Sequence, residues 1–245
     1  MLNDKKMNKL KHLFILILLV STSVHSGEDN IGAEDLTSSN HFAGNYMGIN
    51  IGHVESNSYS KSLNHDLENH QYSSTGRSSY NITLGKNWMA SDSLLTGFEV
   101  ALGYMDLDSS HPGSAISEED GKSSLNGGAH LDLALRAGLV RGDYMAYIKA
   151  GVVKTDINHS FIDTDETGQT IISGTESSSL TGKVYGIGVE RRINPTTNFS
   201  IAYNRYDFDM ASGTATTPIT PANGTAPHHH ETNIKIISVG LISKF

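Results

Sequence analysis

Six charged residues are spaced so that they could form one network of ion pairs: Glu99, Asp132, Arg136, Lys149, Glu190 and Arg192. Each lies in a segment where apolar and polar residues alternate, and each falls on the polar stripe. Three acids and three bases gathered in an enclosed space would neutralise one another, because unpaired buried charge is costly. His130 shares the face of Asp132, two residues on. It would be either a pH-sensitive member of the network or a hydrogen-bonded filler. Arg205 falls on the opposite, apolar stripe of its segment. A guanidinium there suits a phosphate partner, unless it snorkels into water or its strand is shifted in register.

Other chemistry is poorly supported. The run His228-His229-His230 is no preformed metal site, since adjacent residues of an extended chain point to opposite faces. The chain has no cysteine, which excludes a disulfide scaffold, a thiolate zinc site and a thiol nucleophile. The apolar stripes hold no Ser–His pair at a spacing suited to hydrolysis, and Ser243 stands alone there. No catalytic residue, metal or cofactor is expected.

The elements that must position these residues are strands. Eight segments show period two, and none of helical length shows a period of 3.6. They are Gly44–Val54, Ser78–Trp88, Leu94–Asp106, Asn126–Val140, Tyr144–Lys154, Leu180–Ile193, Phe199–Phe208 and Thr232–Phe245. Three connections are tight turns rich in Asp, Gly, Asn and Pro: Met89–Ser93, Arg141–Asp143 and Asn194–Asn198. Four are long: Glu55–Gly76, Asp106–Leu125, Thr155–Ser179 and Asp209–Glu231. Long and short alternate along the chain, as in an up-and-down barrel with turns at one rim and loops at the other.

Alternation alone does not say whether the apolar face points in or out. The chain start helps decide. Lys5, Lys6, Lys9 and Lys11 precede the apolar run Leu13–Val20, with small or tolerated residues up to Ser26. This is the pattern of a cleaved secretory signal. The polar stripe, made of Gly, Ser, Asn and charges, would be a poor dry core but a reasonable lumen. Trp88, Tyr144, Phe199 and Phe245 near one rim, with Tyr80, Tyr104, Tyr185 and Tyr203 nearer the other, match interfacial girdles. The expectation is an all-β, eight-stranded antiparallel up-and-down transmembrane β-barrel. Residues 1–26 would be the signal peptide, 27–41 a short periplasmic lead-in, and 42–245 the outer-membrane β-barrel of a Gram-negative bacterium.

The last strand, Ile237-Ser238-Val239-Gly240-Leu241-Ile242-Ser243-Lys244-Phe245, resembles the amphipathic, Phe-terminated strand by which assembly machinery recognises outer-membrane barrels. The departure is Ser243, where that pattern usually has an aromatic. The resemblance makes Ile237, Val239, Leu241 and Phe245 an assembly signal. From Phe42 onward the chain is similar to the small outer-membrane barrels labelled "porin family" or OmpA-like, which include OmpX and the opacity proteins. The segments carrying this are Asn45-Tyr46-Met47-Gly48-Ile49-Asn50-Ile51-Gly52, Tyr185-Gly186-Ile187-Gly188-Val189-Glu190 and Ala202-Tyr203-Asn204-Arg205-Tyr206. The resemblance implies a fold shared by envelope-stabilising barrels, adhesins and serum-resistance factors.

Charge narrows the partners. Without residues 1–26 the net charge is −11, which disfavours a nucleic-acid binder. The four long connections hold fifteen acids and two bases, Lys61 and Lys122. Such loops should repel polyanions. The expected role is a non-enzymatic barrel that stabilises the envelope and displays four acidic loops for surface interaction or adhesion. Its expected partners are outer-membrane lipid, lipopolysaccharide through Arg205, the assembly machinery and a host surface ligand. The alternative is a narrow diffusion pore. Eight strands leave an interior that side chains can fill, so the inward charges are expected to plug it.

Overall fold

The computed structural model describes residues 40–62, 70–107, 109–111, 122–164, 170–216 and 225–245. Side chains are described over 41–57, 76–107, 126–158, 179–208 and 232–245. The expected signal peptide and most of the lead-in lie outside these residues. A one-turn 3-10 helix, Asn40–Phe42, precedes the strands β1 (Gly44–Ser62), β2 (His70–Met89), β3 (Leu94–Met105), β4 (Ser109–His111), β5 (Lys122–Arg141), β6 (Tyr144–Thr164), β7 (Thr170–Asn194), β8 (Thr197–Thr216) and β9 (Thr225–Lys244). β4 is a three-residue strip that pairs with β5 beyond the end of β3. The other eight strands form the barrel, each antiparallel to its neighbours, and β1 pairs with β9 to close it.

Closure is staggered. The ladder row that starts at Ile242 passes Gly48, Thr83, Ala101, Asp132, Val153, Gly182 and Phe208 and returns to β9 at Thr232. This ten-residue shear tilts the strands, as an eight-stranded closed sheet requires. Tight turns at one rim fit their residues. Gly142 adopts a φ of +58° between β5 and β6, a region that glycine enters freely. The Asn194 side chain caps the β7–β8 turn by accepting from the Thr196 amide at 3.0 Å, a local Asx bond.

The apolar stripes face outward. Ile49, Leu84, Phe98, Leu135, Ile148, Ile187, Ile201 and Leu241 are all more than 40% exposed, whereas a water-soluble barrel would bury them. No helix among the described residues is long and apolar enough to cross a membrane; the crossing elements are strands.

The strands run farther than the hydrophobic pattern suggested. Ser56–Ser60 of β1 pairs with Ser74–His70 of β2, and Asn158–Ile162 of β6 pairs with Ser177–Ser173 of β7. Much of what was expected as loop is therefore hairpin arm. The backbone ladder does not depend on apolar side chains, so where neither face meets lipid the period-two signal disappears while the hydrogen bonds continue. His228-His229-His230, expected in a loop, lies along β9; its side chains are outside the described residues.

Candidate functional site: a closed, layered lumen

Strand parity sends Glu99, Arg136, Lys149 and Glu190 into the barrel, where all four are buried. Glu99 accepts from Lys149 Nζ at 2.7 Å and from Arg136 at 3.4 Å. The second Arg136 nitrogen donates to Glu190 at 2.5 Å. Two acids and two bases thus make a neutral cluster, which is what burial in a narrow space demands.

The guanidinium of Arg136 lies between two tyrosine rings, 4.0 Å from the centroid of Tyr147 and 5.3 Å from that of Tyr46. Arg136 also donates to the Tyr46 hydroxyl at 2.8 Å, and that hydroxyl donates to Glu99 at 3.1 Å. Each ring lies across a glycine of the neighbouring strand: Tyr46 pairs with Gly85, Tyr147 with Gly188. A Cβ at Gly85 would stand 2.3 Å from the Tyr46 ring, and one at Gly188 2.5 Å from the Tyr147 ring. The glycines let the rings lie flat on the wall and hold the cation in place. Gly188→Val is therefore expected to cost about 1–3 kcal/mol by overpacking. Tyr147→Ala in the same chain should recover part of that loss in urea unfolding, whereas additive losses would contradict the packing argument.

Asp132 and Arg192 stand apart from this cluster. Asp132 is buried, accepts from Tyr206 at 3.0 Å and lies 4.0 Å from His130. Arg192 pairs with Asp143 at the turn rim and is partly exposed. The single six-member network expected from sequence is thus corrected to a four-member cluster and two separate pairs. The reason is height: parity fixes the face, whereas position along a tilted strand fixes the neighbours.

Above the charges, Asn50 donates to Asn81 at 2.8 Å and to Thr83 at 3.2 Å, forming a neutral polar layer. The void between this layer and the Glu99–Lys149 pair measures about 20 Å³, room for little more than one water. Apolar layers close both ends. Towards the long arms, Val54, Met105, Val153, Val184, Phe208, Ile234 and Ile236 pack inward around Tyr206. Towards the turn rim, Phe42, Leu95, Val140 and Met145 pack against Tyr147.

Phe42 comes from the chain just before β1, and this segment is built into the mouth. Its carbonyl accepts from Asn87 at 3.0 Å. The His41 ring bonds Asn198 at 2.6 Å, and the His41 carbonyl accepts from Lys244. Asn198 in turn donates to Glu190 at 3.1 Å, so a continuous chain of polar contacts links the mouth to the charge cluster. Burial lowers the imidazole pKa of His41, which lies outside the membrane-spanning strands, below its ordinary value, although the Asn198 bond opposes this.

Arg205 lies on the outer wall, half-exposed, and donates from Nε to Asp207 at 2.7 Å. Ile237, Val239, Leu241 and Phe245 face outward as well, and the Phe245 amide donates to Asn45 across the β1–β9 seam at 3.2 Å. Among the described residues, no group of three His, Asp or Glu could hold a metal ion.

Residues 13–240 match the outer membrane protein beta-barrel domain family. The chain belongs to this family. Outer-membrane proteins of known structure are similar to this chain. The attachment invasion locus protein Ail of Yersinia pestis is 12% identical, with 81% of this chain and 99% of that one covered and a TM-score of 0.38. OprG from Pseudomonas aeruginosa is 15% identical over 83% and 98%, with a TM-score of 0.44. The outer membrane protease OmpT from Escherichia coli is 11% identical over 82% and 96%, with a TM-score of 0.46. A search of curated protein sequences finds no match. The family match and the closed eight-stranded sheet make this chain a small outer-membrane β-barrel.

Proposed function

We propose that this outer-membrane barrel is a non-enzymatic, non-conducting envelope protein that uses a rigid, filled barrel to hold long acidic hairpin arms at the cell surface for interaction or adhesion. The observation that carries the reading is the layered lumen, in which a neutral charge cluster is sealed between two apolar layers. Such an interior favours a stiff scaffold over an aqueous path. The ligand class that suits the arms is a basic or neutral host surface, since the long connections carry fifteen acids and two bases. The test compares cells displaying the whole protein with cells displaying a form whose arms are cut back to short turns. Both are checked for heat-modifiable, folded barrel, then scored for adhesion to epithelial cells and to immobilised heparin. The reading expects arm-dependent adhesion to cells and no heparin binding at physiological salt. Adhesion that survives arm removal, or tight heparin binding, would contradict it.

Assembly is the second part of the proposal. Residues 1–26 act as the cleaved export signal, and Phe245, with the outward register of Ile237, Val239 and Leu241, is read by the assembly machinery. Deleting Phe245 also removes the amide that bonds Asn45 across the seam. The amount of heat-modifiable protein in the outer membrane should fall several-fold; unchanged levels under strong expression would sink this assignment.

A further inference from the structure

Among the described residues, the outward-facing cations at the level where the apolar band ends are confined to one wall. Lys154 on β6, Lys183 on β7, Arg205 on β8 and Lys235 on β9 all lie on the outer face of consecutive strands. The ladder places them together. Lys183 stands opposite Val152 and Asp207, Arg205 opposite Tyr185 and Lys235, and Lys154 opposite Thr181. Once the shear of the ladder is allowed for, the four fall within about two residues of one height. The same height on β1, β2, β3 and β5 carries His53, Tyr80, Tyr104 and Leu131; Tyr80 and Tyr104 stack at 5.7 Å between ring centroids. Arg77, farther up β2, is paired with Asp106 at 3.7 Å. Asp156 and Asp207 stand among the four cations and Glu55 stands opposite Lys235 across the β1–β9 seam, so four cations meet three acids and the patch keeps a small local excess of positive charge. This is the reverse of the acidic chain as a whole.

The wall beneath the patch is hollowed. Ala137, Ala146 and Ala150 face outward among larger neighbours. Two grooves of about 840 and 560 Å³ run down this face and meet at Ala137, Ile148, Ile187 and Tyr203. The upper groove ends at Arg205 and the lower one reaches Leu139 and Leu94 near the turn rim. Their linings are almost wholly apolar, and both are open along the wall.

We infer that the β5–β9 wall is a docking site for a phosphorylated, multiply acylated glycolipid of the outer leaflet. Its acyl chains lie in the joined grooves, and its phosphates meet Lys154, Lys183, Arg205 and Lys235. This rests on the placement of the long arms at the cell surface. Cations above an apolar groove fit an amphiphile whose head is anionic and whose tail is broad. A basic patch alone would fit any polyanion, and a groove alone would fit any lipid. The guanidinium and ammonium groups supply charge-assisted bonds to phosphate oxygens. Each cation at a membrane surface contributes roughly a five-fold gain in affinity for an anionic headgroup.

The test uses the full-length folded protein in uncharged detergent micelles. It is titrated with fluorescent bisphosphorylated, hexa-acylated disaccharide lipid, with its dephosphorylated form, and with phosphatidylglycerol. The bisphosphorylated glycolipid should bind at least ten-fold more tightly than the other two. The triple variant Lys183→Gln, Arg205→Gln, Lys235→Gln should lose on the order of 100-fold in affinity while keeping its heat-modifiable fold. Ala146→Leu with Ala150→Leu, which fills the groove from its lipid-facing floor, should weaken binding and leave the charge patch intact. Arg191→Gln, at the opposite rim where Arg191 lies over the Tyr144 ring, should change nothing. Equal binding of the phosphorylated and dephosphorylated forms would overturn the inference. So would equal binding of phosphatidylglycerol, or an unaffected triple variant. If the arms prove to face the periplasm, the surface-display reading fails separately, because this binding is measured in micelles without reference to sidedness.

Discussion

Glu99→Gln is expected to destabilise the barrel by about 3–5 kcal/mol, the cost of removing one partner from a buried charge cluster. Glu99 is the acceptor shared by Lys149 and Arg136, and it also receives the Tyr46 hydroxyl. Without its charge, Arg136 retains Glu190, but Lys149 loses the only carboxylate recorded within salt-bridge distance among the described residues. An ammonium left in that layer must be neutralised or must draw in water, and either route weakens the packing above and below it. Urea unfolding of the purified protein in micelles, read by the shift in gel mobility on heating, would measure the loss. Glu55→Gln, on the exposed face of β1, is the control and should stay within about 0.5 kcal/mol. Equal behaviour of the two variants would mean that the lumen charges do not act as a cluster.

Phe42→Ala is expected to cost on the order of 3 kcal/mol, in line with removing a buried phenyl from a packed site. Phe42 is 2% exposed and completes the apolar layer at the turn rim with Leu95, Val140 and Met145. Because the segment is held by side-chain bonds at His41 and Asn87, its release should follow pH. The folded pKa of His41 lies below its ordinary 6.5, so the undocked segment binds the proton more readily. The stability of docking is fully present above pH 6.5 and declines as the pH falls below it towards the folded value. Hydrogen exchange at the start of β1 should speed up on mild acidification in the wild type. In His41→Gln this acceleration should be lost. Exchange that slows on acidification, after correction for its intrinsic pH dependence, would reverse the sign and refute the assignment.

The fold was readable because the membrane band imposes a strict period of two: Phe98, Val100 and Leu102 against Glu99 and Ala101 leave one choice of face. The same parity placed Glu99, Arg136, Lys149 and Glu190 on the inner wall. It did not predict which of them meet, because the shear carries residues of equal sequence rank to different heights, and Arg192 ended at the rim beside Asp143. The apolar caps of the lumen carry only a weak signal in the pattern. Val54, Val153, Val184, Ile234 and Ile236 occupy inward positions, at the ends of stripes that look polar when averaged. Tyr46 and Tyr147 were legible only jointly with Gly85 and Gly188 across the ladder. Phe42 and His41 carry no periodic signal, since they precede the first strand; a lone aromatic after a polar lead-in was the only cue. The arms escaped because Ser, Thr, Asn and His on both faces carry no alternation even where the backbone ladder continues.

Conductance tests most directly whether the barrel is closed. Purified full-length protein, reconstituted into a planar bilayer at near-neutral pH, should show no steady single-channel steps. With the glycine and tyrosine pairs, the four-charge cluster and the two apolar caps filling the lumen, ions are expected to find no continuous wet path. A stable, reproducible conductance from the folded, heat-modifiable wild type would contradict the account and turn the same inward charges into the lining of a pore.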